Sequence, residues 1–379
     1  MKRIDNLTGL RAVAALWVVM YHINVSNTPL HGNLGNVAAH GSFGVDVFFV
    51  LSGFVLSMVY AEKLPPKFNA KWYKRFLGRR FAKIYPLHLL TFGAMAGLLL
   101  VAAHAGYNFT STSDNSAWSA LCNVFLIHSL GTTSTLSWNS PSWSVSAEWI
   151  SYSILFAPMV FTLRRVRTLY VGILCAIAVG AASTAPFLLH KPWSHLTYQG
   201  IVRIVPEFLC GYLLYRLTRG KSLQHSEWWT AGGVLLLLVN CYLPQEHVAL
   251  LIASVMVLLA GLAQNSGGRG NKILANRFAV LLGDASYSIY LMQTFVIIVA
   301  NQILRRVPLP SSPAALFTVA LAETAVCAMV GVVVFLKIEE PLRQRIIRGL
   351  DAAPQNVEAL GPVEIPGTQA DTQTASTIG

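Results

Sequence analysis

The sequence predicts an all-α, polytopic membrane protein of about ten transmembrane helices with both termini in the cytoplasm. Three observations predict it. Hydrophobic residues make up 54% of the 379 and charged residues only 12%, about half the charged share of a soluble domain. Apolar runs recur from residue 12 to residue 336 without a long polar block between them, so one membrane domain is expected over 1–345. The basic residues, finally, fall overwhelmingly on one side of those runs.

A helix that crosses the hydrocarbon core needs about 20 mainly apolar residues. On that criterion spans are expected at 8–26, 43–60, 84–104, 147–163, 168–187, 201–216, 228–243, 247–264, 278–300 and 314–336. With the N-terminus inside, 23 of the 28 Lys and Arg fall in inner segments, only Lys191, Arg305 and Arg306 fall in outer ones, and Arg11 and Arg203 lie within spans. That asymmetry follows the positive-inside rule. It also accounts for the net charge of +12, which in a soluble chain would raise the question of nucleic acid. The lipid bilayer is therefore an expected partner, and nucleic acid is not.

The first apolar segment carries Arg11 inside it and is followed by no small-x-small site, so it is expected to stay as a transmembrane helix rather than be cleaved. The outer segment 105–146 is rich in Ser, Thr, Asn and Trp ("STSDNSAWSA", "TTSTLSWNSPSW"). It suits contact with a polar extracytoplasmic molecule, or equally a solvated loop with interfacial tryptophans. The segment 346–379 has no periodic apolar face and is expected to be a disordered cytoplasmic tail.

The five cysteines, Cys122, Cys175, Cys210, Cys241 and Cys327, show no metal-ligand spacing and read as small core hydrophobes. No metal site is expected. The motifs GxSxG, GxxxxGK[ST] and HExxH are absent from the sequence, which argues against serine-hydrolase, phosphate-loop and zinc-protease chemistry.

Polar groups inside spans carry the functional signal, because an ionisable side chain there costs on the order of 2.5–3.5 kcal/mol or more and usually faces a cavity. "RAVAALWVVMYH" places Arg11 and His22 eleven residues apart. Eleven steps of ~100° bring both to one face, separated by about 16 Å along the axis. His22 suits a general base, and Arg11 an inner anionic site; an interhelical hydrogen bond and a snorkelling cation are the plainer alternatives. "GSFGVDVFFVLSGFVL" sets Asp46 just inside the second span, where it can orient a histidine, bind a cation or cap the helix. "KWYKRFLGRRFAKIYPLH" is a basic, aromatic inner loop suited to phosphates of lipid or of a phosphorylated donor. Glu148 in "PSWSVSAEWISY" is expected at the outer boundary of its span, and Arg203 and Glu207, four apart, are expected to pair with each other.

In order along the chain, "LTGLRAVAALWVVMYH", "GSFGVDVFFVLSGF", "RRFAKIYP", "PSWSVSAEW", "LGDASYSIYL" and "IEEPLRQR" together resemble the acyltransferase 3 family of membrane-bound bacterial O-acyltransferases that modify surface glycans. The resemblance implies a ten-helix fold of the inner membrane that moves an acyl group, commonly acetyl, from cytoplasmic acyl-CoA to a hydroxyl of an extracytoplasmic glycan. It implies no tightly bound cofactor. It assigns catalytic roles to His22 and Arg11 and a polar site role to Glu148, puts Arg79 and Arg80 at the donor, and raises Asp46 as a supporting residue. The chain departs from the family pattern at Thr8, where "LDGLR" reads "LTGLR", at Lys83, which replaces an arginine, and at Gln293, which replaces a histidine. Gln293 cannot shuttle a proton. Two other readings remain: a transporter of glycan precursors and a non-catalytic member of a polysaccharide assembly.

Overall fold

The structure is a computed structural model that describes residues 4–26, 28–106, 115–197, 199–264, 269–306 and 312–352. Among the described residues all regular secondary structure is helical, without a β-strand, as hydrocarbon requires of a non-barrel chain that must satisfy its own backbone groups.

The elements follow in order: α1 (Asp5–Ser26), short α2 (Gly32–Ala39), α3 (Phe43–Tyr60), long α4 (Ala70–His104), α5 (Ala117–Val124), α6 (Ser142–Ile150) and α7 (Phe156–Leu163). Then come α8 (Thr168–Leu189), α9 (Gly200–Thr218), α10 (Ser226–Tyr242), α11 (Val248–Ala263), α12 (Arg269–Leu274), α13 (Arg277–Asp284), α14 (Ser286–Leu304), α15 (Pro313–Val334) and α16 (Glu340–Ala352). Seven helices among the described residues are long and apolar enough to cross a membrane: α1, α3, α4, α6 continued through α7, α8, α14, and α15 continued through α16. The remaining expected spans coincide with α9, α10 and α11, which are 19, 17 and 16 residues long. The span expected over 278–300 is broken at Ala285, between α13 and α14. The domain edge expected at 345 falls within α16, and 353–379 of the expected tail lie outside the described residues.

The first helix is the partition of the bundle. Leu7, Leu10, Ala14 and Val18 on one flank join the main apolar core with α3, α6, α9 and α11. Ala12, Val19 and Ile23 on the other flank join a second core with α14 and α15. At ~100° per residue, the face of Arg11 and His22 lies between those flanks. The start of α1 is fastened by Asn6, whose Nδ2 donates to the Leu262 carbonyl (2.7 Å) and to Asn271 Oδ1 (2.9 Å).

Small residues let the central helices approach closely, as apolar association in lipid demands. A Cβ on Gly44 would lie 2.5 Å from the Ala14 carbonyl oxygen of α1, and one on Gly53 would lie 2.2 Å from the Phe208 carbonyl oxygen of α9. Both contacts are to backbone, so relief requires moving a helix. Two π-helical turns interrupt otherwise continuous helices, Ser151–Leu155 between α6 and α7 and Phe335–Glu339 between α15 and α16. Such turns recur at functional sites. All five cysteines are buried and unpaired, in keeping with packing roles.

Gly53→Ala is expected to destabilise the bundle by about 1–3 kcal/mol through overpacking, read as a lowered unfolding temperature of the purified protein in detergent. Gly93→Ala, where a Cβ meets nothing within 4 Å, is expected to leave that temperature unchanged.

Candidate functional site

Three cavities lie in line along α1. The first, of about 520 Å³, opens at the end of the bundle formed by the start of α1, the basic part of α4 and α16. Its charged lining consists of Arg11, Arg80, Lys83 and Arg343 against Asp284, Glu339 and Glu340, four cations to three carboxylates. A neck of about 40 Å³ adjoins it, lined by Arg11, Glu148, Ser286 and Tyr290 among others. The third cavity, of about 260 Å³, lies toward the other end and is lined by His22, Tyr21, Ser140, Trp143, Arg203 and Tyr290 among others. Arg11 is common to the first two, and Val45 and Tyr290 to the second and third. The face shared by Arg11 and His22 thus borders three neighbouring cavities that share wall residues.

Each predicted residue can now be placed. Arg11 directs Nη2 (3.1 Å) and Nε (3.3 Å) at the Ser286 hydroxyl and lies 5.6 Å from the Phe48 ring centre. The Nδ1 of His22 is 2.9 Å from the Val18 carbonyl oxygen. A carbonyl only accepts, so Nδ1 carries the hydrogen and a neutral ring keeps its Nε2 lone pair for a proton. Glu148 is on a helix that begins five residues earlier than the expected span, and its carboxylate lines the neck, where Oε1 accepts from Ser52 (2.5 Å) and from the Tyr152 hydroxyl.

The serines that made this segment read as loop are satisfied internally. Ser144 Oγ donates to the Tyr290 hydroxyl (2.9 Å) and Ser146 Oγ to the Leu126 carbonyl (2.7 Å).

The two arginines of the basic motif part company. Arg80 faces the first cavity, with Nη2 donating to the Tyr60 hydroxyl (3.1 Å) and its guanidinium over the Tyr60 and Tyr152 rings at 5.4 and 5.8 Å. Its Nε is buried without a hydrogen-bond partner. Arg79 does not line that cavity. It points to α16, where Nη2 meets Asp351 Oδ1 at 3.0 Å beside Arg75 at 2.7 Å, because adjacent helix positions face about 100° apart.

Asp46 neither caps its helix nor orients His22. It is completely buried, accepts from Trp193 Nε1 (2.9 Å), and pairs with Arg203 Nη2 (2.7 Å), which is equally buried. The pairing expected between Arg203 and Glu207 is therefore replaced, and neither Glu207 oxygen has a hydrogen-bond partner. The Arg203 guanidinium also lies 5.0 Å from the Trp143 ring and donates to the Ser194 carbonyl (3.2 Å). The pair thus ties α3 to α9 and holds one wall of the His22 cavity.

Sequence reasoning missed Lys83, Glu339 and Tyr290. Lys83 sits in the fields of Arg11, Arg80, Glu148 and Glu339, and Glu339 accepts from Ser288 at 2.5 Å. A signal for both was present in "RRFAKIYP" and "IEEPLRQR", read only as resemblance. Gln293 is buried, has no hydrogen bond from its amide, and lines none of the three cavities.

In the expected outer segment 105–146, positions 107–114 lie outside the described residues. The remainder spends many of its polar groups within the bundle: Asn123 Nδ2 donates to Ser137 (2.9 Å), Ser142 hydrogen-bonds His128 Nε2 (3.3 Å), and His128 stacks on His88 of α4 at 6.3 Å. Burial pushes the His128 imidazole down to about 4, so it is neutral near pH 7. Among the described residues no cluster of His, Cys, Asp or Glu has the makings of a metal site.

These features define a multi-pass membrane protein with neighbouring polar cavities along its first helix, and comparison with known proteins gives its class. A family model described as an acyltransferase domain matches residues 4–335, and the chain belongs to that family, acyltransferase 3. It is 31% identical over 331 residues to "Acyltransferase MdmB" of Streptomyces mycarofaciens, covering 78% of this chain and 79% of that protein. It is 26% identical over 313 residues to "Exopolysaccharide production protein ExoZ" of Rhizobium meliloti, covering 80% and 90%. It is 25% identical over 326 residues to "Putative peptidoglycan O-acetyltransferase YrhL" of Bacillus subtilis, covering 79% of this chain and 49% of that protein. No solved structure matches the chain. The protein is thus a membrane acyltransferase.

The buried pair makes a stability prediction. Asp46→Asn or Arg203→Gln alone is expected to cost about 3–5 kcal/mol, because each leaves an uncompensated buried charge. The double variant Asp46→Leu with Arg203→Met is expected to recover much of that loss in detergent unfolding measurements.

Proposed function

We propose that this protein is an inner-membrane O-acyltransferase that moves an acyl group, with acetyl as the first expectation, from cytoplasmic acyl-CoA to a hydroxyl of an extracytoplasmic glycan. The observation that carries the reading is the helix α1, which lines one cavity with Arg11 and the opposite one with His22. The excess of Lys and Arg on one side supports a cytoplasmic placement for both termini and for the Arg11 cavity. The names of ExoZ and YrhL, which refer to an exopolysaccharide and to peptidoglycan, support a glycan acceptor.

In this reading Arg80, Lys83 and Arg11 hold the anionic donor by charge-assisted hydrogen bonds. Its thioester lies toward the neck, and the acceptor enters the His22 cavity, whose Trp143 ring and hydroxyl-bearing walls suit a sugar. The acceptor oxygen attacks the thioester carbonyl carbon while its proton passes to His22 Nε2. The new C–O ester bond forms, the C–S bond breaks, and the proton held by His22 passes to the departing thiolate, which leaves as the CoA thiol and restores the neutral base. Glu148, held by Ser52 and Tyr152, balances the cations around the neck. Passage of the glycan itself is disfavoured by size, since a neck of about 40 Å³ is far below the 300–1,000 Å³ of typical ligand pockets.

His22→Ala is expected to lower acylation of the surface glycan by on the order of 10²–10⁴-fold while the protein inserts at its normal level. Label from radiolabelled acetyl-CoA reaching the glycan at the wild-type rate in that variant would exclude the assignment, and no label even in the wild type would favour transport.

Arg80→Ala is expected to raise the KM for acetyl-CoA by about tenfold or more, the worth of a charge-assisted hydrogen bond. Arg79→Ala, an exposed ion pair, is expected to change it less than about twofold. Steady-state kinetics in membrane vesicles separates the two.

A further inference from the structure

We infer that the neck between the two cavities is an acyl-length filter, which restricts the transferred group to about the size of acetyl. The inference rests on the proposed acyl transfer and adds its donor selectivity. Between the Arg11 cavity of about 520 Å³ and the His22 cavity of about 260 Å³, the neck measures about 40 Å³. A cavity needs roughly 10–15 Å³ to admit one water, so the neck has room for a small group and none for a long chain. An acetyl group has three non-hydrogen atoms, and every further methylene adds one.

One part of the lining has the chemistry of an acyl pocket, beside the polar groups of Arg11, Ser144, Glu148 and Ser286. Val45, Phe48 and Phe49 come from α3, Val145 from α6, and the rings of Tyr287 and Tyr290 from α14. They are also difficult to displace. Phe49 packs edge-on against Trp143 at 6.0 Å, the Tyr287 hydroxyl donates to the Ile84 carbonyl (2.6 Å), and Tyr290 takes the hydrogen bond from Ser144. Val45 and Val145 are each only 3% exposed. A wall fixed at three helices does not widen for a longer chain, and each extra methylene is expected to cost on the order of tenfold in transfer.

The site lies where an acyl group must stand. Arg11 lines the neck as well as the donor cavity, and Tyr290 lines it as well as the His22 cavity. The carbonyl carbon under attack is therefore held between the donor's anionic contacts and the base, and its alkyl tail has the apolar wall beside it. Val45 and Val145 touch neither Arg11 nor His22 by any hydrogen bond, so shortening them enlarges the wall and leaves the polar groups in place.

The test uses membrane vesicles from cells producing the full chain, supplied separately with acetyl-CoA, butyryl-CoA and hexanoyl-CoA. Esters on the saccharide fraction are released by mild alkali and quantified by gas chromatography. The wild type is expected to transfer acetyl at least tenfold better than butyryl and to transfer no measurable hexanoyl. Val145→Ala is expected to bring butyryl to within about threefold of acetyl, and Val45→Ala, on α3 rather than α6, is expected to do the same should the first variant fail to accumulate. Equal transfer of acetyl and hexanoyl by the wild type would overturn the filter while leaving acyl transfer intact. An unaltered length profile in both variants would overturn it as well. No ester from any donor in the wild type would remove both the filter and the reading beneath it.

Discussion

Hydrocarbon offers no partner to a charged side chain, and that constraint organises this bundle around its first helix. Arg11 and His22 lie on one face of α1, so the face must be turned from lipid along its whole length. The fold meets the requirement by packing the two flanks of α1 into separate apolar cores and leaving the polar face to line the cavities between them. Closure from several sides follows: α3 approaches at Gly44, α14 brings Ser286 to Arg11, and α6 brings Glu148 to the neck. The cavities are thus what remains when two cores meet on one helix whose third face cannot enter either.

The ion pair of Asp46 and Arg203 shows the same constraint settled in another way. Two charges removed from water repay their desolvation only with good geometry and additional hydrogen bonds. Here the carboxylate takes a guanidinium and an indole N–H, while the guanidinium lies over the Trp143 and Trp193 rings and gives its Nη1 to a carbonyl. What the pair provides is registry, because it can form only when α3 and α9 are correctly set along their axes. The wall of the His22 cavity inherits that registry through Trp143 and Ser194.

Fold class and membrane character were legible in the sequence because hydropathy and charge asymmetry are sums over many residues and tolerate local error. The pairing of Arg11 with His22 on one face was legible because helix geometry is periodic and needs no knowledge of neighbours. The start of α6 was not. Its serines read as loop, and only their long-range partners, such as Tyr290 and the Leu126 carbonyl, make them helical interior. For the same reason Arg203 was assigned to Glu207 four residues away, when its partner lies on another helix 157 positions distant. The division of labour between Arg79 and Arg80 depends on where α16 docks, which the motif itself does not contain. Lys83 and Glu339 were present in recognised segments, but their convergence on Arg11 is a tertiary fact.

The π-helical turn at Ser151–Leu155 has a consequence for how this helix is read on paper. A π turn takes one more residue than an α turn to complete its ring, so residues beyond it are out of phase with those before it by about 100°. A helical wheel drawn straight from 142 to 163 therefore sets the exposed positions Ile154, Pro158 and Thr162 about 100° from their true place relative to the buried residues of α6. Glu148 lies before the offset and the apolar residues of α7 after it, and each keeps its proper surroundings only because that extra residue is there. Length, as much as residue type, is specified in this segment: removing a single residue within the π turn would rotate the half that carries Glu148 relative to the apolar half beyond it without changing the composition of either.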